Sequence, residues 1–204
     1  MTDSKQAVPV RIAGICGSLN PAGKTRAALA KALEGAAEYN AEIQLIELRD
    51  YELVFFGSVA SEDYPEDVQR LRKQLRDAQG IIIATPEYHG SLTGALKNMF
   101  DLMSVEEFET KIVGLVGVAG GHLGAIHALN GLRTICRNLH CWVLPQEVSI
   151  AESGKAIGVD GSVVDKDLED RLLNVGRQVV KFASLQSEFR ETEFAKDWAE
   201  LPTW

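Results

Sequence analysis

At 204 residues, 46% hydrophobic and 25% charged, the chain is long enough to bury one sizeable core and too short for two comfortable domains. Its formal net charge of -8 argues against a nucleic-acid or anionic-membrane surface, since both need concentrated Lys and Arg. No stretch approaches the roughly 18 uncharged apolar residues of a membrane helix, and the opening MTDSKQAVPVR lacks the order of a signal peptide, so a cytoplasmic location is expected.

The run VRIAGIC, Val10 to Cys16, is short, apolar and partly β-branched, and predicts a first strand. A helix follows from about Thr25 to Tyr39, with Leu29, Leu33 and Ala36 on one stripe. Glu42 to Leu48 alternates apolar and polar, as a strand near a sheet edge does. Pro65 then opens a helix whose inner face is Val68, Leu71, Leu75 and Ala78. Ile81 to Ala84 is a continuous apolar run, suited to a strand buried on both faces of a parallel sheet. Behind Thr93 and Gly94, Leu96, Met99, Phe100 and Met103 recur at helical spacing. Lys111 to Ala119 predicts the fourth strand, and Ala125, Leu129, Leu132, Cys136 and Leu139 trace the next helix. A short fifth strand is expected around Trp142 to Leu144, before a last helix with Leu168, Leu172, Val175, Val179 and Phe182 on one face.

Five strands alternating with five helices is the pattern of an open, doubly wound α/β sheet within one domain, residues 1–185. Residues 186–204 are charged and without a helical stripe but carry Trp198 and Trp204. They read either as a frayed tail or as an arm pinned by its aromatics. Cys16, Cys136 and Cys141 lie in apolar segments and read as three buried thiols. No spacing of His and Cys fits a closed zinc pattern, so no metal is expected.

In such a sheet a ligand sits outside the carboxyl ends of the strands. The loop after the first strand, GSLNPAGKTR, joins Gly17 and Gly23, which permit close backbone approach, to the hydroxyls of Ser18 and Thr25 and the free amides of a helix start. Asn20 lies within it, and Lys24 and Arg26 add charge. These are the parts of a phosphate cradle. The string is also one residue away from the nucleotide-binding P-loop, with Ser18 in place of its first Gly, so a nucleotide hydrolase stands as an alternative. In the loop after the third strand, Pro86 fixes a turn and Gly90 relaxes one. The amides of Glu87, Tyr88, His89 and Gly90 can then face a flat ring, with Tyr88 along it. The loop after the fourth strand, AGGHLG, holds Gly120 and Gly121, which suit backbone brought against a ligand or simply a turn into a helix.

Together the three loops resemble the NADPH-dependent FMN reductase family. The matching residues are Gly17 to Leu19, Thr25, Pro86 to Tyr88, Ser91, Gly94, Leu96 to Asn98, Asp101, and Gly120 with Gly121. The resemblance implies a flavodoxin-like three-layer fold, with a five-stranded parallel sheet in the order 2-1-3-4-5 and helices on both faces. It implies FMN with its phosphate on the first loop, its ring on the second and its edge at the third, and NADPH or NADH as co-substrate. A second acceptor would take the electrons: free flavin, a quinone, an azo compound or an oxidised metal ion. It also implies a homodimer or homotetramer. A flavodoxin-type electron carrier is the neighbouring alternative. Three residues depart from the family pattern: Asn20 stands where Arg is common, His89 where Asn is common, and Thr93 where Pro is common. Lys24 or Arg26 is then the source of replacement charge, and His89 either tunes the ring or bonds to a partner subunit. No side-chain acid or base is required, because hydride chemistry belongs to the flavin.

Overall fold

The computed structural model describes residues 9–190 and 192. Five parallel strands, β1 (Val10–Cys16), β2 (Ala41–Glu47), β3 (Gly80–Pro86), β4 (Ile112–Val118) and β5 (Trp142–Ile150), form one sheet in the order β2-β1-β3-β4-β5. The helices are α1 (Lys24–Ala37), α2 (Glu66–Asp77), α3 (Gly94–Asp101), α4 (Ile126–Asn138), the single-turn α5 (Ser153–Ala156) and α6 (Lys166–Arg190).

β3 and β4 are buried along their whole length. Alternate residues of the central strands therefore feed two cores, because successive side chains in a strand point to opposite faces. Ile82 and Ala84 join one core with Leu29, Ala32 and Leu33 of α1 and Leu172, Val175 and Val179 of α6. Ile81 and Ile83 join the other with Leu71 and Leu75 of α2, Leu96 and Met99 of α3, and Leu129 and Leu132 of α4. The result is the flavodoxin-like three-layer arrangement. α1 and α6 approach so closely that a Cβ on Gly35 would lie 2.0 Å from the Leu173 carbonyl oxygen, and one on Gly176 only 1.9 Å from that of Ala32.

β5 is longer than the expected Trp142 to Leu144. Pro145 reads as a stop, yet β5 is an edge strand, where the missing N–H costs no ladder bond. The register slips between Val113 and Leu115, and the strand continues to Ile150. Arg133 braces the irregularity, bonding the carbonyls of Leu144 and Pro145 at 3.0 Å and the Glu147 carboxylate at 2.6 Å.

Other expectations need correction. Phe182 is exposed, and Val180 and Ala183 take the inner face of α6, since a 25-residue helix drifts across the sheet it covers. Cys141 is half-buried rather than buried, as it lies just before an edge strand. α6 also runs through residues 186–190, past the expected domain end. Trp198 and Trp204 lie outside the described residues. Among the described residues no helix is long and apolar enough to cross a membrane.

Candidate functional site

The three glycine-bearing loops leave the carboxyl ends of β1, β3 and β4, which are neighbours in the sheet, so they meet at one rim. In the first loop the Gly17 N–H bonds to the Ala84 carbonyl at 2.8 Å. A Cβ on Gly17 would lie 2.9 Å from Leu96 Cδ2 and 3.1 Å from the Ala84 oxygen, so only glycine passes between β3 and α3 there. Asn20 shapes the loop from within. Its Oδ1 accepts from the Ala22 N–H at 3.1 Å, its carbonyl accepts from Gly23 at 3.0 Å, and its own N–H donates to Ser18 Oγ at 3.3 Å. This is the local bonding that favours Asn in turns.

α1 starts at Lys24 with Gly23 as its N-cap, so no side chain caps its first amides. The N–H groups of Ser18, Leu19, Lys24 and Thr25 meet no acceptor among the described residues. Ser18 and Thr25 are buried to 5% and 3% exposure, and the Ser18 hydroxyl accepts the Asn20 N–H. Uncapped amides at the positive end of a helix, with two hydroxyl-bearing residues in the same loop, fit a phosphate monoester. Beneath them, burial pushes the Cys16 thiol up, so it stays protonated; it donates weakly to the Ser18 carbonyl.

The two cations expected in this cradle are directed elsewhere. Lys24 Nζ donates to the Ile157 carbonyl at 2.6 Å, and Arg26 Nε pairs with Glu47 at 3.0 Å, where Arg49 also pairs. The loop presents backbone dipoles and hydroxyls rather than fixed ammonium or guanidinium groups.

In the second loop Tyr88 and Ser91 pair through both backbone groups at 3.0 and 3.1 Å, around His89 at φ 53° and Gly90 at φ 76°. Two consecutive left-handed residues make the tight turn for which Asn-Gly is the favoured pair. His is among the few other residues enriched in that region, which accounts for His89 where Asn is common. Tyr88 is exposed at the rim.

Side chains tie the loops together, and sequence reasoning missed most of these ties. Thr93, the N-cap of α3, donates from Oγ1 to the Gly17 carbonyl at 2.6 Å and accepts from the Leu96 N–H at 3.2 Å. Glu87 accepts at Oε2 from the Ala128 N–H at 2.9 Å, capping the first turn of α4, while its own N–H bonds to the Val118 carbonyl at 2.9 Å. Asn98 holds residues 54–56, donating to the Val54 carbonyl at 2.9 Å and accepting from the Phe56 N–H at 3.0 Å; Phe55 and Phe56 are exposed beside it. The sequence signals were thin: a Thr before a helical Gly, and an Asn within the LKN run.

The third loop is held open. Gly120 and Gly121 have no atom within 4 Å of a would-be Cβ. Gly124, at φ 69°, passes Ser149, whose hydroxyl accepts from the Ala125 N–H at 2.9 Å. The Gly121 carbonyl accepts from Glu152 at 3.0 Å, and Glu152 also faces Lys155 and the exposed His122. The pieces make a loop with uncapped amides, a tight turn and an open glycine edge, all on one rim; of the four amides expected to face a ring, those of Glu87 and Tyr88 are instead bonded to the Val118 and Ser91 carbonyls, which leaves His89 and Gly90.

A family model described as NADPH-dependent FMN reductase matches residues 10–155. The chain is 29% identical over 150 residues to an NADPH azoreductase of Bacillus sp. (strain OY1-2), covering 74% of this chain and 82% of that one. It is 30% identical over 139 residues to an NAD(P)H-dependent FAD/FMN reductase of Geobacillus thermodenitrificans (strain NG80-2), covering 68% and 74%. Among solved structures, FerB, a flavoenzyme NAD(P)H:(acceptor) oxidoreductase from Paracoccus denitrificans, superposes with a TM-score of 0.72 at 24% identity over 86% of this chain and 98% of that one. An archaeal flavodoxin superposes at 0.60 and 14%, over 85% and 97%.

Proposed function

Because the chain belongs to the NADPH-dependent FMN reductase family, we propose that the rim of three loops is the place where this FMN-dependent NAD(P)H oxidoreductase holds its flavin and exchanges its substrates. Bound FMN supplies the group that accepts hydride from the nicotinamide and yields electrons to the acceptor.

The carrying observation is the uncapped start of α1, with Ser18, Leu19, Lys24 and Thr25 amides unfilled and two buried residues bearing hydroxyls alongside. These groups hold the terminal phosphate, and Gly17, Asn20 and Gly23 give the loop its curvature. Pro86, Glu87, Tyr88, His89 and Gly90 form the shelf for the ring, set in place by the Glu87 cap on α4. The amides near Gly120 and Gly121 would hold the edge of the flavin, where preorganised donors would favour negative charge. Lys24 and Arg26 steer the incoming anion from outside the cradle. The hydrolase alternative would need Lys24 at the phosphates, and its bond to the Ile157 carbonyl speaks against that.

The second acceptor is a small flat or compact oxidant from the classes free flavin, quinone, azo compound or oxidised metal ion. It enters the same ring face after the nicotinamide leaves. Exposed Phe55, Phe56, Tyr88 and Leu123 around the rim support a homodimer or homotetramer in which a neighbour completes the pocket. The location is cytoplasmic.

The test is the visible spectrum of the purified protein before and after NADPH without oxygen, with the ligand released by heat and identified by mass. A yellow protein that bleaches on NADPH and releases FMN supports the reading. Release of FAD alone overturns the compact cradle, and a flavin that NADPH leaves oxidised favours an electron carrier. Initial-rate lines at several acceptor concentrations should run parallel; intersecting lines mean that both substrates bind together.

A further inference from the structure

The carboxyl end of α4 closes in a turn that brings two cysteines together, at the opposite end of the sheet from the three loops. His140 lies at φ 59°; its N–H bonds to the Arg137 carbonyl at 3.1 Å, and the Cys141 N–H reaches the Cys136 carbonyl at 2.9 Å. A left-handed residue flanked by these two bonds is a Schellman closure, and such closures set the side chains of the two outer positions against each other. Here both side chains are thiols. Cys136 is fully buried and Cys141 half-buried. The Cys141 thiol beside it, and then burial, hold the Cys136 thiol well above the ordinary thiol range. Cys141 donates weakly to the Phe108 carbonyl at 3.4 Å, and the Lys111 ammonium is within electrostatic reach of its sulfur. The third cysteine, Cys16, is buried under the first loop.

We propose that Cys136 and Cys141 form a reversible thiol-oxidation site, which hydrogen peroxide closes into an intrachain disulfide. Cys141 is the more accessible sulfur and reacts first. Its thiolate attacks one peroxide oxygen, the O–O bond breaks, and the departing hydroxide takes up the proton that the thiol had released. The products are a Cys141 sulfenic acid and water. Cys136 then attacks the Cys141 sulfur; the S–S bond forms, the S–O bond breaks, and the hydroxyl leaves with the Cys136 proton as a second water. The two sulfurs give up two electrons in all, and one peroxide is reduced. Disulfides ordinarily join Cα atoms about 4.4–6.8 Å apart, and the 2.9 Å bond from the Cys141 N–H to the Cys136 carbonyl already holds the two backbones together, so closure asks for side-chain rotation rather than unfolding. The bond would tie the end of α4 to the start of β5.

The FMN-loaded protein is treated with a small excess of hydrogen peroxide, quenched with catalase, unfolded and alkylated, and its intact mass and peptides are measured. The expected product carries one alkyl group, on Cys16, instead of three. It is two hydrogen atoms lighter before alkylation and regains all three sites after dithiothreitol. Cys141→Ser and Cys136→Ser should lose the two-hydrogen change, and Cys16→Ser should keep it. The wild-type measurement stands even if a variant folds poorly. The proposal is overturned if treated wild type still alkylates at three sites, if Cys141 gains oxygen while Cys136 stays alkylated, or if the missing thiols are found in a disulfide between two chains.

Discussion

The Thr93 hydroxyl donates to the Gly17 carbonyl at 2.6 Å, joining the cap of α3 to the loop after β1 across 76 residues of chain. One oxygen thereby orders two loops, since it also accepts the Leu96 N–H. Thr93→Val keeps the shape, removes the cap and leaves the Gly17 carbonyl without its donor. A loss of about 2 kcal/mol is expected in urea unfolding, from the cap and the unmet buried acceptor together. FMN binding should weaken by roughly tenfold as the first loop loosens, about 1.4 kcal/mol. Thr93→Ser should recover most of both, and a valine variant with unchanged affinity would mean that the loops hold without this bond.

Thr25→Ala removes one hydroxyl from the cradle and leaves the α1 amides in place. A hydrogen bond to a charged group contributes about 1.5–3 kcal/mol, so FMN affinity should fall by roughly ten- to a hundredfold. Riboflavin, without the phosphate, should bind the variant and the wild type alike. The titration is run with EDTA present, because a phosphate held by amides and hydroxyls needs no metal. Equal weakening of riboflavin would contradict the cradle, and so would wild-type binding abolished by EDTA.

Gly176→Ala tests the packing beneath the site. Its Cβ would lie 1.9 Å from the Ala32 carbonyl oxygen, which is backbone and cannot swing aside. α1 and α6 must separate, at a cost of about 3 kcal/mol or more. Gly154→Ala, with open space around it, is the control, and the midpoints of urea unfolding compare the two.

Lys111 gives a pH dependence of known sign. Burial first, and then Arg190, lower its folded-state pKa to about 8, against about 10.4 in an unfolded chain. Below pH 8 both states carry the proton, and folding bears the full cost of burying the charge. From about pH 8 to about 10.4 the unfolded chain holds more protons, so this contribution makes stability rise with pH. Cys16 and Cys136, with raised values, act in the opposite direction above the ordinary thiol range. The comparison is therefore wild type against Lys111→Met at each pH. Methionine forfeits the bonds from Nζ to the Arg76 and Ala78 carbonyls, which lowers stability throughout. The gap between the two proteins should widen as pH rises from 8 to 10; a constant gap would mean that Lys111 titrates normally.

The alternation of strands and helices and the position of the three loops were legible in the sequence, because they depend on local patterns; the strand order came only from the family resemblance. The all-apolar Ile81 to Ala84 suits a strand covered on both faces, and a glycine-rich turn after a buried strand marks the rim of such a sheet. A turn at Gly90 was legible too, but the left-handed backbone of His89 beside it was not. The ties between loops were not, since they join residues far apart in the chain and only packing brings them within hydrogen-bond reach. Thr93 reads as a departure from the family pattern until it is found on the Gly17 carbonyl, and Glu87 as one acidic residue among many until it caps α4. The partners of the two charges were not legible for the same reason. Sequence puts Lys24 and Arg26 in the cradle because they are adjacent to it, but a long side chain is placed by the acceptors that the fold brings near. For these two the acceptors are the Ile157 carbonyl and Glu47.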